Sequence, residues 1–208
     1  AYSMLNKGGV NELILIDIDK DKTIGEEMDL SHGLPFAPQK MVIKAGDYSD
    51  CKDAQVVVIT AGIAQKPGQT RLELAEVNTK IMKQITESIM KSGFDGIIIV
   101  ASNPVDLMTY VVAEVSGLPK NRVIGSGTVL DTARLRYLMA DYLKISSKNI
   151  HAYIMGEHGD SSFVPWDHAY VGCKKVKDVM KDNNHPMEDL EKIHKGVVDA
   201  ACEIIEKK

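Results

Sequence analysis

This 208-residue sequence has few cysteines, no long apolar run and no excess of positive charge. Its three cysteines are Cys51, Cys173 and Cys202. Their odd number and wide spacing exclude a disulfide framework and a CxxC pair. This cysteine content fits a reducing cytosol. No apolar run approaches the roughly 20 residues that span a bilayer. The net charge is −4, so we expect no nucleic acid and no polybasic membrane contact. These features predict a cytoplasmic protein without a membrane partner.

A G-x-G-x-x-G loop is also lacking, although ELILID (12–17) is typical of a buried strand that ends in an acid, Asp17. In a dinucleotide fold such an acid hydrogen-bonds the ribose diol, about 20 residues after the glycine loop. Only 16 residues precede Asp17. We therefore expect the glycine loop and the first strand to lie upstream of residue 1. The alternative is that Asp17 merely caps the next helix.

Both ends of the chain lack the usual helix signals. AYSMLNKGG has no residue that caps a helix N-terminus, and the apolar positions of the last stretch keep helical spacing up to Lys207 and Lys208 without a terminator. We expect that this is a fragment of a longer protein.

Four runs rich in Val and Ile predict buried parallel strands: 12–17, 55–60, 96–102 and 121–126. Helical patterns lie between them, most clearly at 71–93 and 104–117. Strands that alternate with helices predict an α/β fold, a Rossmann-like doubly wound parallel sheet. After residue 126 the pattern changes to longer helices. We therefore expect a domain boundary near residue 126.

The stretch IMGEHGDSS (154–162) places His158 between two glycines. A histidine titrates near neutral pH and could serve as a catalytic acid and base, but a charged turn or a metal ligand is equally compatible with this stretch alone. His151, His158 and Asp160 lack the spacing of a zinc site and have no cysteine partner, so we expect no metal.

Four motifs, in order along the chain, together carry a family resemblance: TAGIAQKPGQTRLE, VASNPVD, GSGTVLDTARLR and NIHAYIMGEHGDSS. They resemble the bacterial-type members of the lactate/malate dehydrogenase family. The resemblance implies an N-terminally truncated NAD-binding Rossmann domain at 1–126, followed by a C-terminally truncated α+β catalytic domain at 127–208. It implies NAD as cofactor, and interconversion of L-lactate and pyruvate by hydride transfer. It also implies a cytoplasmic homotetramer. The net negative charge favours NAD over NADP.

The resemblance assigns roles to residues of this chain. His158 becomes the proton donor and acceptor, Asp131 the partner that holds its imidazole, and Arg134 the clamp on the substrate carboxylate. Arg71, on the loop that closes over the site, polarises the reacting carbonyl, and Asn103 contacts the substrate near the nicotinamide. Each residue taken alone also has a structural explanation. Asp131 could be a helix N-cap, and Asn103 could form a turn before Pro104.

Gln65 is the predicted specificity residue, because malate-specific relatives carry arginine there to pair with the second carboxylate of oxaloacetate. A neutral glutamine would leave that charge unpaired, which favours pyruvate. The alternatives are a malate dehydrogenase of the same family or a catalytically inactive fragment. The cofactor-binding residues that the resemblance implies are Asp17, Lys22, Tyr48, Gly62, Ile63, Ala101, Ser102, Asn103 and Ser126. Arg136 and His151 match an allosteric fructose 1,6-bisphosphate site, although both could be ordinary solvated residues.

Overall fold

The computed structural model describes residues 1–63 and 71–207, and in that range the side chains of all residues but 71–74, 202 and 205. Its helices are α1 Tyr2–Lys7, α2 Lys20–Gly33, α3 Arg71–Lys91, α4 Val105–Ser116, α5 Val129–Leu143, α6 Val176–Asp182 and α7 Glu188–Glu206. Its strands are β1 Glu12–Leu15, β2 Val42–Ala45, β3 Val56–Ile59, β4 Ile97–Val100, β5 Val123–Gly125, β6 Ile150–His151, β7 Tyr170–Val171 and β8 Lys174–Lys175.

The strand order confirms the predicted doubly wound class. Strands β1 and β2 pair in parallel, from Glu12 opposite Val42 to Leu15 opposite Ala45, and β3, β4 and β5 form a three-stranded sheet in that order. A doubly wound sheet has the order 3-2-1-4-5-6. When its first strand is removed and the others are renumbered, the runs 2-1 and 3-4-5 remain, and these are the two sheets observed here.

The chain divides into two compact units, residues 1–99 with 111–123 and residues 100–110 with 124–208. In the first unit, Leu5 of α1 and Leu30 of α2 are buried with Met41 and Ile43 beside the β1–β2 pair. Helix α2 begins at a capped turn, because the Asp19 carboxylate accepts the Lys22 N–H at 3.0 Å. The cap fixes the direction in which the chain leaves β1.

The second unit has its own core beneath a small antiparallel sheet of β6, β7 and β8. Leu135 and Met139 on α5 are fully buried and pack with Ile150, Met180 and Val197 from the sheet and from helices α6 and α7. These three strands were not predicted from the sequence, because runs of two residues show no periodicity. Strand β2 was not predicted either. Within the second unit, β6 packs against α5.

The predicted elements are slightly longer than the observed ones. The strand expected at 12–17 ends at Leu15, so Asp17 lies beyond the sheet, and the helix expected at 104–117 begins at Val105. Pro104 still takes part in the first turn of α4, since its carbonyl accepts the Met108 N–H at 2.9 Å. Among the helices described, none combines the length and apolar character needed to cross a membrane.

The core around α5 predicts a large effect for Leu135→Ala. Leu135 is fully buried, and we expect the free energy of unfolding to fall by about 3 kcal/mol, through lost burial and the cavity left behind. Urea denaturation followed by circular dichroism measures this change. Leu130→Ala, at an exposed position of the same helix, is the matched control and should cost less than about 1 kcal/mol. Equal losses in the two variants would contradict this account of the core.

Candidate active site

The predicted acid–base residue, His158, lies in a loop whose two ends are joined by backbone hydrogen bonds. Met155 and Phe163 form an antiparallel bridge, with both backbone N–H groups donating to the partner carbonyl at 2.9 and 3.0 Å. Gly156 turns the chain with φ of 92°, a conformation that L side chains rarely adopt. The His158 side chain is 25% exposed. The loop therefore presents an imidazole that solvent and small molecules can reach.

The imidazole of His158 is held by Asp131. Its Nδ1 lies 2.6 Å from Asp131 Oδ2, and Asp131 sits in the first turn of α5, where only 7% of the residue is exposed. A buried carboxylate is an acceptor, so Nδ1 carries the proton and donates it to Asp131. This arrangement fixes the ring and leaves Nε2 as the nitrogen that can exchange a proton with a substrate.

Arg134 shares the same carboxylate. Its guanidinium lies 3.5 Å from Asp131 Oδ1, three residues farther along α5, and 19% of its side chain is exposed. The structure thus brings together three of the residues predicted from the sequence, His158, Asp131 and Arg134. The two oxygens of Asp131 are divided between a proton donor and a cation that can bind a carboxylate bidentately.

Three further side chains contact the backbone around His158 and were not predicted. Asp106, in the first turn of α4, accepts the His158 N–H at 2.9 Å. The hydroxyls of Thr128 and Thr132 contact the backbone of Ile154. No pattern in a single sequence points to these contacts, because they join segments that lie 22 to 52 residues apart.

The predicted residues that follow β4 and β5 lie in the second unit. The Ser126 N–H donates to the Val100 carbonyl at 2.8 Å, which brings the carboxyl ends of the two strands together. Ser102 is buried, whereas Ala101 and Asn103 are exposed, and the peptide bond from Asn103 to Pro104 is cis. Ligands of doubly wound sheets bind at this end of the strands.

In the first unit, Asp17 is exposed beyond the carboxyl end of β1. Its Oδ1 accepts the Asp19 N–H at 3.1 Å, and Lys22, in the first turn of α2, is exposed close by in sequence. The pKa of Tyr48 is raised by burial and then by the nearby charges of Cys51 and Asp17, so Tyr48 lies near the carboxylate. An exposed carboxylate at a parallel strand end fits the ribose diol of a dinucleotide.

Gly62 and Ile63 follow β3 and are held by Asn78, a residue the sequence analysis missed. The Asn78 side chain, on α3 and 97% inaccessible, accepts the Ile63 N–H at 2.9 Å and donates to its carbonyl at 3.4 Å. Gly62 has φ of 155°. A buried amide that satisfies both backbone groups of Ile63 keeps this predicted cofactor segment in one conformation.

Two predicted residues fall on the loop before α3. Gln65 lies outside the described residues, and so does the side chain of Arg71, whose backbone begins α3. Their predicted roles stay predictions.

Both predicted effector residues belong to the second unit. The guanidinium carbon of Arg136 stands 5.3 Å from the ring centroid of Tyr153, and its Nε is buried without a hydrogen-bond partner among the residues that the structure describes. His151, on β6, is exposed two residues before Tyr153. Among the described side chains, no group of three or more His, Cys, Asp or Glu could hold a metal ion.

Two family models match nearly the whole chain: the NAD binding domain of lactate/malate dehydrogenase over residues 1–125, and its alpha/beta C-terminal domain over residues 128–208. The chain belongs to the lactate/malate dehydrogenase family. Its NAD-binding domain indicates NAD as the cofactor. The match also agrees with the predicted order of a Rossmann-like domain followed by an α/β domain.

Individual relatives point to one branch of that family. The chain is 54% identical to an L-lactate dehydrogenase 2 of Bacillus cereus and 56% identical to an L-lactate dehydrogenase 1 of Bacillus anthracis, each over 209 aligned residues. All of this chain is covered in both comparisons, together with 67% of each relative. Relatives at this identity support an NAD-dependent oxidoreductase of the L-lactate dehydrogenase type over the alternatives.

Solved structures with a similar fold are also lactate dehydrogenases. A lactate dehydrogenase from a Medee basin deep-sea metagenome library superposes with a TM-score of 0.96 at 58% identity, with 100% of this chain and 66% of that chain covered. A minor L-lactate dehydrogenase of Enterococcus mundtii, in its ligand-bound form, gives a TM-score of 0.96 at 46% identity, with 99% and 66% covered. The chain thus spans about two thirds of the length of its relatives.

The position of Asp17 predicts its effect on cofactor binding. Asp17→Ala should raise the Kd for NADH by about tenfold or more, since a hydrogen bond to a charged group is lost. Fluorescence titration of the protein expressed from its complete coding sequence measures the change. Asp29→Ala, an exposed acid late in α2, is the control. A Kd for Asp17→Ala that equals the control value would contradict the ribose assignment.

Proposed function

We propose that the protein containing this chain interconverts L-lactate and pyruvate with NAD, and that His158 is its proton donor and acceptor. The observation that carries the proposal is the 2.6 Å contact of His158 Nδ1 with the buried Asp131 carboxylate, which Arg134 shares. In this proposal residues 1–126 form the NAD-binding domain and 127–208 the catalytic domain. The site residues keep the roles that the family resemblance implies.

Reduction of pyruvate needs a hydride at the carbonyl carbon and a proton at its oxygen. The reduced cofactor, when bound, supplies the hydride. Protonated His158 gives its Nε2 proton to the oxygen as the C–H bond forms, and takes a proton back in lactate oxidation. Asp131 stays ionised throughout, holding Nδ1–H and stabilising the imidazolium by its negative charge. The net reaction consumes one proton from solvent for each pyruvate reduced.

Three other side chains orient the substrate in this mechanism. The Arg134 guanidinium pairs with the substrate carboxylate, because its planar fork matches two carboxylate oxygens. Arg71 stabilises negative charge as it develops on the carbonyl oxygen. Asn103 contacts the substrate beside the nicotinamide. Together they place the carbonyl so that its oxygen lies within hydrogen-bond reach of His158.

Neutral Gln65 accounts for the choice of pyruvate. The methyl group of pyruvate needs no countercharge, whereas the second carboxylate of oxaloacetate would be buried without one. The same argument makes a malate dehydrogenase the weaker alternative.

Fructose 1,6-bisphosphate is the proposed effector, bound by Arg136 and His151 in a cytoplasmic homotetramer. Support comes from the buried Arg136 Nε, which has no hydrogen-bond partner in the described part of the chain, and from the exposure of His151 two residues before Tyr153, whose ring Arg136 contacts. A phosphate dianion would accept from both an arginine and a protonated histidine. The sugar bisphosphate would then act on the helix that also carries Asp131 and Arg134.

The substrate assignment is tested by Gln65→Arg. The wild type, expressed from its complete coding sequence, should oxidise NADH with pyruvate far faster than with oxaloacetate. In the variant the ratio of kcat/KM for oxaloacetate to that for pyruvate should rise by about 100-fold or more, through the new ion pair. Gln84→Arg, which adds the same charge at an exposed position of α3, should leave the ratio unchanged. An inactive wild type, or an unchanged ratio in Gln65→Arg, would contradict the assignment.

The effector assignment is tested by His151→Gln. We expect the fructose 1,6-bisphosphate concentration for half-maximal activation to rise by about tenfold or more, because a charged hydrogen-bond donor to the phosphate is removed. Each variant is compared with its own rate without effector. His168→Gln, another exposed histidine of the second unit, is the control. Activation of His151→Gln at wild-type concentrations would refute the site.

A further inference from the structure

We propose that Asp106, Thr128 and Thr132 are positioning residues, which hold the backbone on both sides of the turn into the His158 loop and so set the place of the proton donor. This inference rests on the proposed function. It concerns how the imidazole is placed rather than which group donates the proton. The three side chains come from two helices, α4 and α5, and all three contact main-chain atoms.

The first anchor is a pair of threonine hydroxyls at the start of α5. Thr132 Oγ1 accepts the Ile154 N–H at 3.0 Å, and Thr128 donates its hydroxyl to the Ile154 carbonyl at 2.6 Å. Ile154 is only 2% exposed, so water cannot readily replace these partners. Thr128 is the N-cap of α5 and Thr132 lies in its first turns, so the start of this helix satisfies both backbone groups of Ile154.

Three other threonines in helices use their hydroxyls differently. Thr23, Thr86 and Thr109 each donate to the carbonyl four residues earlier in the chain, which is the common behaviour of threonine in a helix. The Thr132 hydroxyl instead accepts from a segment 22 residues away. This difference sets Thr132 apart as a residue whose polar atom serves another segment.

The second anchor is Asp106. Its Oδ2 accepts the backbone N–H of His158 itself at 2.9 Å, across 52 residues of sequence. A hydrogen bond to a carboxylate is stronger than one between neutral groups. The catalytic residue is therefore held twice by aspartates, at its main chain by Asp106 and at its ring by Asp131.

The two anchors bracket the chain from residue 154 to residue 158. Gly156, between them, turns the chain with φ of 92°, just after the residue that the bridge to Phe163 holds. Without the anchors this segment could shift while Asp131 stayed in place on α5. A displacement of about 1 Å in a reacting group can lower turnover by about 100-fold. Fixing both ends of the segment therefore keeps the imidazole where it can transfer its proton.

Kinetics of variants in the protein expressed from its complete coding sequence test the proposal. Asp106→Ala and Thr132→Val should each lower kcat for pyruvate reduction by about 10- to 100-fold, with KM for pyruvate within about threefold of wild type. Asp106→Asn keeps a carbonyl acceptor and should recover kcat to within about threefold of wild type. Thr86→Val is the matched control, because it removes a buried hydroxyl that donates within α3, to the Met82 carbonyl.

Amide hydrogen exchange gives a readout that needs no turnover. The Ile154 amide should exchange at least about tenfold faster in Thr132→Val, and the His158 amide at least about tenfold faster in Asp106→Ala, while the Thr86→Val control leaves both rates unchanged. Wild-type kcat in both Asp106→Ala and Thr132→Val would overturn the inference, and so would an Asp106→Asn variant as slow as Asp106→Ala. Unchanged exchange at both amides would overturn it as well. A wild type inactive on pyruvate would contradict the proposed function itself, and the exchange rates would then still decide whether the anchors exist.

Discussion

The proposed chemistry depends on one hydrogen-bonded pair, Asp131 and His158. A carboxylate as buried as Asp131 is costly unless its oxygens are paired. Here one oxygen takes the imidazole and the other faces the Arg134 guanidinium. The buried leucine and methionine positions farther along α5 hold this helix against the rest of the unit. The core thus positions α5, and α5 positions the carboxylate that holds the imidazole of His158.

Features that depend on local pattern could be predicted from the sequence. The Val- and Ile-rich runs predicted four strands within one or two residues of their observed ends, and LIDID predicted a strand end close to Asp17. The predicted burial of these strands differs from the structure, in which Val56, Val58 and Ile97 are exposed. The runs still mark strands because β-branched side chains favour extended backbone. Grouping His158, Asp131 and Arg134 required the family resemblance, since the histidine lies 27 residues from Asp131 and no local pattern joins the two.

What could not be predicted depends on tertiary contact. Asp106 reads as an ordinary acid in the first turn of a helix, and Thr132 as an ordinary helical threonine. Only the folded backbone shows that each serves a distant N–H group. Asn78 is similar, because an asparagine inside a helical pattern gives no sign that it will clamp Ile63. Such polar contacts obey the rule that buried backbone groups find partners, but the rule does not name the partner.

Helix α5 carries more of the proposed machinery than any other element. Asp131 and Arg136 lie five residues apart, about 7.5 Å along the axis at 1.5 Å per residue. The buried side of α5 is packed in the core of the second unit, so these two positions keep a fixed spacing. In the proposed protein, a ligand bound at Arg136 and the carboxylate that holds the imidazole would therefore share one packed helix.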